Sequence, residues 1–204
     1  MYKKILKRII DVSLALVGIV VLSVPMLIVA LLIKIEDPGP ALFKQKRVGV
    51  GKKYFNLLKF RSMRLDTPHD VPTHLLENPE QYILKTGKII RKLSIDELPQ
   101  MFNIVKGEMS IIGPRPALWN QYDLIGERDK YGANDVVPGL TGWAQINGRD
   151  ELEIDVKAAL DGEYVKKQSF LFDAKCFFLT IISVLKSDGV VEGGVGANSK
   201  DISQ

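Results

Sequence analysis

Residues 12–33 read VSLALVGIVVLSVPMLIVALLI, twenty-two positions from Val12 to Ile33 without a charge. A run of that length is able to enter a bilayer core. Lys3, Lys4, Lys7 and Arg8 precede it, and Lys34, Lys44, Lys46, Arg47, Lys52 and Lys53 follow it. Basic residues on both flanks belong on the cytoplasmic face, a condition that one straight span does not meet. Pro25 lies near the middle, where it removes a backbone donor and crowds the carbonyl four residues back. Ser23 is placed to bond a freed carbonyl inside lipid. The expectation is a re-entrant helix that enters one leaflet, breaks at Ser23–Pro25 and leaves on the side it entered. A secretory signal fits poorly: the run is too long, and Lys34-Ile35-Glu36-Asp37 is a poor cleavage site.

The composition agrees with a membrane-surface protein. In 204 residues, 46% are apolar and 25% charged, with mean hydropathy +0.06. That excludes a disordered chain, a collagen and a multi-span transporter. A single cysteine, Cys176, and two histidines, His69 and His74, leave no cysteine- or histidine-based metal site, and a reducing compartment is expected. Residues 1–64 carry thirteen basic and three acidic residues, a net of +10, whereas the rest carry fifteen and twenty-one, a net of −6. The front of the chain therefore meets a polyanion. Directly after an apolar run, the basic and aromatic stretch Lys44–Arg64 points to anionic headgroups, so no nucleic acid is expected.

Beyond the apolar run the pattern is α+β and mostly helical. Ala41–Phe43 and Tyr54–Phe60 flank a Gly49–Lys53 turn and predict a short β-hairpin. Arg64–Pro79, which holds both histidines, reads as a surface loop. Helical spacing predicts helices over Tyr82–Leu93 and Asp96–Lys106, the second closed by Gly107. Val137–Arg149 mixes turn glycines with a strand-like core. Glu151–Lys167 reads as a polar helix, and Phe170–Leu185 as a helix that packs in the core or lies at the membrane interface. Ser187–Gln204 reads as a flexible tail. The domains predicted are a membrane helix over 1–36, a catalytic domain over 37–188 and a tail over 189–204.

Ser94-Ile95-Asp96-Glu97 matches a capping box, in conflict with Pro99; a helix begun at Asp96 removes the conflict. Either register places Asp96 and Glu97 at a helix N-terminus, where free N–H groups favour anions. Plain capping explains such a pair in most proteins. Adjacent carboxylates without histidine or cysteine also suit a hard cation such as Mg²⁺, and Mg²⁺ suits a phosphate substrate. Arg91, Lys92, Arg115 and Arg149 lie in or beside Gly/Pro-rich loops, where guanidinium groups bind phosphates.

Five motifs then occur in order: Lys7-Arg8-x-x-Asp11; Leu58-Lys59-Phe60-Arg61-Ser62-Met63; Arg91-x-Leu93-Ser94-x-Asp96-Glu97-Leu98; Asn103-x-x-Lys106-Gly107-x-Met109-Ser110-x-x-Gly113-Pro114-Arg115-Pro116; and Pro138-Gly139-x-Thr141-Gly142-Trp143-Ala144-Gln145-x-Asn147-Gly148-Arg149. Together they resemble the small monotopic phosphoglycosyl transferases, also called bacterial sugar transferases, over about Lys7–Gly189. One departure is that the family breaks its membrane helix at an adjacent Ser-Pro, whereas Val24 intervenes here.

The resemblance implies a catalytic domain with amphipathic interfacial helices, facing the cytoplasm from the bacterial inner membrane. It implies transfer of a sugar 1-phosphate from a UDP-sugar to polyprenyl phosphate, with UMP released, as the first membrane step of surface glycan assembly. By match, Asp96 is the nucleophile that forms a phosphosugar intermediate, and Glu97, beside Asp96, is the Mg²⁺ ligand. Lys59, Arg61, Arg91, Arg115, Asn147 and Arg149 are the matching substrate-binding positions, and Arg8 and Asp11 anchor the start of the membrane helix. Candidate protein partners are a second copy or downstream glycosyltransferases. Two alternatives stay open: a membrane-bound Mg²⁺-dependent phosphohydrolase using water as acceptor, and a non-catalytic scaffold of a glycan-assembly complex.

Overall fold

The computed structural model describes residues 2–67, 78–148 and 152–186. The tail Ser187–Gln204, Arg149, and the loop segment holding His69 and His74 lie outside them.

The apolar run forms two helices, α1 (Lys7–Val21) and α2 (Ser23–Glu36), bent by 63° about Leu22. Backbone bonds continue on both sides, from Leu22 N to Gly18 O and from Met26 N to Leu22 O. The bond that Pro25 cannot make is the one to Val21 O, so the axis turns just before the proline. Ser23 Oγ donates to Val20 O at 2.8 Å. The pivot is thus Leu22, one residue ahead of the Ser23–Pro25 segment, and the serine bond survives the intervening Val24. Neither helix alone is long and apolar enough to cross a membrane; the bent pair passes that test only as a unit.

The two faces of this pair differ. Leu14, Val17, Val20, Val21, Val24, Leu27, Ile28 and Leu31 are all exposed, a continuous apolar surface of the kind that marks a membrane or protein contact. The inner row of α1, Lys7, Asp11 and Ala15, repeats every four residues and is buried. Ala15 packs with Leu57, Met101, Ile104 and Met109, while Val29 and Ile33 of α2 pack with Phe60, Leu84 and Ile90.

The charges at the start of α1 turn inward rather than toward headgroups. Asp11 accepts from Ser110 Oγ at 2.7 Å and from Ile111 N at 3.1 Å. Lys7 Nζ donates to Asp173 Oδ2 at 2.8 Å. Arg8 donates to Ile104 O and Val105 O, capping the end of a helix described below. These groups lock the bent pair onto the domain behind it, since a buried charge persists only when paired.

The predicted hairpin is present, with β1 (Leu42–Val48) antiparallel to β2 (Tyr54–Phe60) and Leu42 opposite Phe60. β1 runs further than its apolar start suggested, because Lys44 and Lys46 alternate outward on the period of two. Next come α3 (Lys85–Lys92), α4 (Gln100–Lys106) and β3 (Ser110–Ile112), then α5 (Tyr122–Asp129) and β4 (Gly139–Thr141). α6 (Trp143–Ile146), α7 (Ile154–Lys167) and α8 (Phe170–Lys186) complete the fold. Gly107, at φ +93°, ends α4 as expected. The parallel pairing of β3 with β4 is a feature that the sequence pattern did not announce.

Two motif loops cross at this parallel pair. A Cβ added to Gly139 would lie 2.1 Å from Gly113 N, and one added to Gly142 would lie 2.1 Å from Gly113 O. The glycines therefore permit backbone to lie on backbone. A Gly142→Ala change forces the loops apart, at a cost of roughly 1–3 kcal/mol. The expected result in a thermal melt is a loss of at least ~3 °C in Tm; an unchanged midpoint would contradict this close crossing.

Candidate active site

Asp96 and Glu97 lie in a 3₁₀ turn, Ile95–Glu97, that precedes α4. Ser94 leads into it with φ +54° and makes no side-chain capping bond. The expected capping box is thus absent, and the pair does not occupy the first turn of an α-helix. Pro99, with no N–H to give, stands at the N-cap of α4, which starts only at Gln100.

The turn is held by its apolar members. Ile95 and Leu98 bracket the acids and pack against the cluster in which Val29 and Ile33 of α2 join Ala41, Phe60, Leu84 and Ile90. The carboxylates are thereby carried on a turn whose apolar neighbours share a core with α2. Asn103 sets the other side, accepting from Leu58 N at 3.0 Å and donating to Asn56 O at 2.8 Å. It is fully buried and ties α4 to β2. In the sequence it stands as the first residue of the fourth motif.

Two cations converge on Glu97. Its Oε1 accepts from Lys59 Nζ of β2 and from Arg115 Nη2, each at 2.8 Å. Lys59 Nζ also stands 3.8 Å from Asp96 Oδ2. Burial alone would raise the Glu97 pKa, but Arg115 and Lys59 outweigh it and hold the carboxyl well below the usual range. Asp96 goes the other way: burial raises its pKa, reinforced by the Glu97 charge and only partly offset by Lys59, Arg91 and Arg115. Neighbouring acids are thereby split into a firmly charged Glu97 and a desolvated Asp96 that accepts no hydrogen bond among the described residues.

Arg115 is delivered by the Pro114–Pro116 loop, which is clamped from both sides. Arg47 Nη1 of β1 donates to Pro116 O at 2.9 Å, Val48 N to Ala117 O at 2.9 Å, and Gly139 N to Pro114 O at 2.9 Å. This is why the two glycine-containing motifs matter to the site: their crossing fixes where Arg115 stands.

Of the other expected substrate positions, Arg91 acts on Asp96 through its charge. Arg61 is buried against Asp37, donating through Nη1 at 2.7 Å and through Nη2 to the Asp37 carbonyl. Asn147 is exposed and donates to Trp143 O in its own helix at 2.7 Å. Arg61 thus braces the segment leaving α2, and Asn147 caps α6. Arg149 is outside the described residues. No group of three or more metal-ligating side chains occurs among the described residues. Asp96 and Glu97 alone fit Mg²⁺, which takes one or two carboxylates and fills its remaining positions with phosphates and water. Neither Asp96 oxygen nor Glu97 Oε2 accepts a hydrogen bond among the described residues, so lone pairs remain for a cation.

The chain is similar to known proteins over most of its length. The family described as bacterial sugar transferase matches residues 2–187. A Bacillus subtilis protein named uncharacterized sugar transferase EpsL is 42% identical over 186 residues, covering 91% of this chain and 90% of that one. The undecaprenyl-phosphate glucose phosphotransferase of Komagataeibacter xylinus is 40% identical over 86% of this chain and 35% of its own length. The UDP-glucose:undecaprenyl-phosphate glucose-1-phosphate transferase of Escherichia coli is 39% identical over 87% of this chain and 40% of its own length. The chain thus spans nearly all of the first relative and well under half of the other two.

Proposed function

This chain belongs to the bacterial sugar transferase family, and from that premise we propose that it moves a sugar 1-phosphate from a UDP-sugar to polyprenyl phosphate. The observation that carries the proposal is the convergence of Lys59 and Arg115 on the Asp96–Glu97 pair, whose neighbours Ile95 and Leu98 pack on the cluster that includes Val29 and Ile33 of α2. The apolar outer face of the bent pair is read as embedded in the inner leaflet of the bacterial inner membrane, with both ends and the catalytic domain on the cytoplasmic side. In that pose the carboxylates stand where a lipid phosphate waits.

Asp96 is assigned as nucleophile. A carboxylate oxygen attacks the β-phosphorus of the UDP-sugar, the bond from that phosphorus to the bridging oxygen breaks, and UMP leaves with the electron pair. An oxygen of polyprenyl phosphate then attacks the same phosphorus, and Asp96 leaves as free carboxylate. Two easier displacements replace one difficult one. Asp96 suits the task because it is desolvated and, among the described residues, accepts no hydrogen bond that would blunt its lone pairs. Lys59 and Arg115 turn from Glu97 to the diphosphate, with Arg91 adding positive field. Glu97, with Asp96 beside it, would hold Mg²⁺, which when bound neutralises phosphate charge.

The test is a product assay with purified protein, a panel of UDP-sugars and radiolabelled polyprenyl phosphate. The expected result is UMP release beyond one equivalent only when the lipid is present, with label recovered as polyprenyl diphosphate-sugar. Sustained release of UMP and sugar phosphate without lipid would replace the transferase with the water-using phosphohydrolase. Lipid and nucleotide sugar both left untouched would favour a scaffold.

A further inference from the structure

Gln100 is 1% exposed, and its side-chain Nε2 has no hydrogen-bond partner among the described residues. A buried donor left unmatched costs about 1–3 kcal/mol and calls for a role. Glu97, Gln100 and Asn103 follow one another at intervals of three along the 3₁₀ turn and α4, a spacing that lines up side chains. The two members flanking Gln100 both bond to β2, Glu97 through Lys59 and Asn103 through Leu58 and Asn56. Gln100 therefore lies in the seam between α4 and β2, one turn from the carboxylate pair. Among the described residues nothing accepts its amide protons.

Both present partners of Glu97 are cations that a diphosphate would claim. Once Lys59 and Arg115 turn to the substrate, Glu97 loses the two bonds that now fix its orientation. We propose that Gln100 is a positioning residue whose Nε2 donates to Glu97 in the substrate-loaded site, keeping that carboxylate in place beside Asp96 while Asp96 attacks. The inference rests on the assignment of Asp96 and Glu97 made above. It accounts for an idle buried donor: its partner arrives with the substrate.

The test uses Gln100→Leu and Gln100→Met in the full chain, the second guarding against misfolding of the first. Three quantities are measured: Tm, KM for the UDP-sugar, and the single-turnover rate of phosphosugar adduct formation. Tm is expected unchanged or higher, because an apolar side chain removes an unmet donor. KM stays within about twofold while adduct formation slows roughly 10- to 100-fold, as expected for a mispositioned reacting group. Adduct formation at the unmodified rate, or a lower Tm with KM and turnover unchanged, would overturn the inference and leave Gln100 a packing residue. The two levels separate cleanly. Turnover by an Asp96→Asn enzyme would remove the parent assignment, whereas an inactive Asp96→Asn beside fully active Gln100 variants would remove only this inference.

Discussion

Asp96→Asn is expected to abolish turnover, with UMP release falling by at least ~10³-fold. Intact-mass measurement makes the assay direct. The unmodified protein, given UDP-sugar without lipid acceptor, gains one sugar-phosphate mass, and the variant gains none. The same substitution is expected to leave Tm unchanged or raise it. Asp96 accepts no hydrogen bond among the described residues, and burial raises its pKa by penalising the charge. A neutral amide of the same shape removes that penalty. An inactive protein that is equally or more stable is the signature of a group retained for chemistry. Retained turnover would end the assignment of Asp96 as nucleophile.

Glu97→Gln is expected to be the second most damaging change and to differ in its stability effect. Here the charge is the partner of Lys59 and Arg115 at 2.8 Å each. Removing it takes away the charged acceptor of both hydrogen bonds, so Tm falls. Charge-assisted hydrogen bonds of this kind contribute about 1.5–3 kcal/mol when well buried, and the partial exposure of Arg115 places the loss near the lower end. Turnover is expected to fall roughly 10²- to 10³-fold, the scale of losing one preorganised electrostatic group, and the response to added magnesium to flatten. Two neighbouring acids with the same formal charge thus give opposite stability signs. Equal Tm losses in both variants would contradict the split that burial and the two cations impose.

How much of this was legible in the sequence depended on the range of the forces involved. The break in the apolar run was readable because proline acts on its own backbone, and the hairpin because a glycine turn and period-two alternation are local. The carboxylate pair was found, but its setting was misread. Ser94-Ile95-Asp96-Glu97 matched a capping pattern, and the competing demand of Pro99 displaced the start of α4 to Gln100. The parallel contact of β3 with β4 left no periodic trace, since three-residue strands are too short to show one. Its glycines looked like loop residues, although their function is to let two backbones touch.

Charges were the least readable feature. Arg8 and Asp11 read as anchors of the membrane helix with no partner named, and Arg61 as a substrate-binding position. In the fold they bond α4, β3 and Asp37 instead. A charged residue beside an apolar helix has two ways to escape lipid, outward to headgroups or inward to a partner, and only the tertiary structure decides between them. Lys59 is the converse case. It was named from a motif alone, and the structure brings it to the two acids.

The proposed siting of the carboxylates at lipid-phosphate level depends on the bent pair returning to the face it entered, which cysteine labelling in sealed vesicles tests directly. Native Cys176 is buried and gives little background. Lys3→Cys and Lys34→Cys should both react with a membrane-impermeant maleimide applied from the catalytic-domain side, and Val24→Cys from neither side. Reaction of Lys3→Cys from one side and Lys34→Cys from the other would show a straight crossing and contradict the proposed site at the membrane surface.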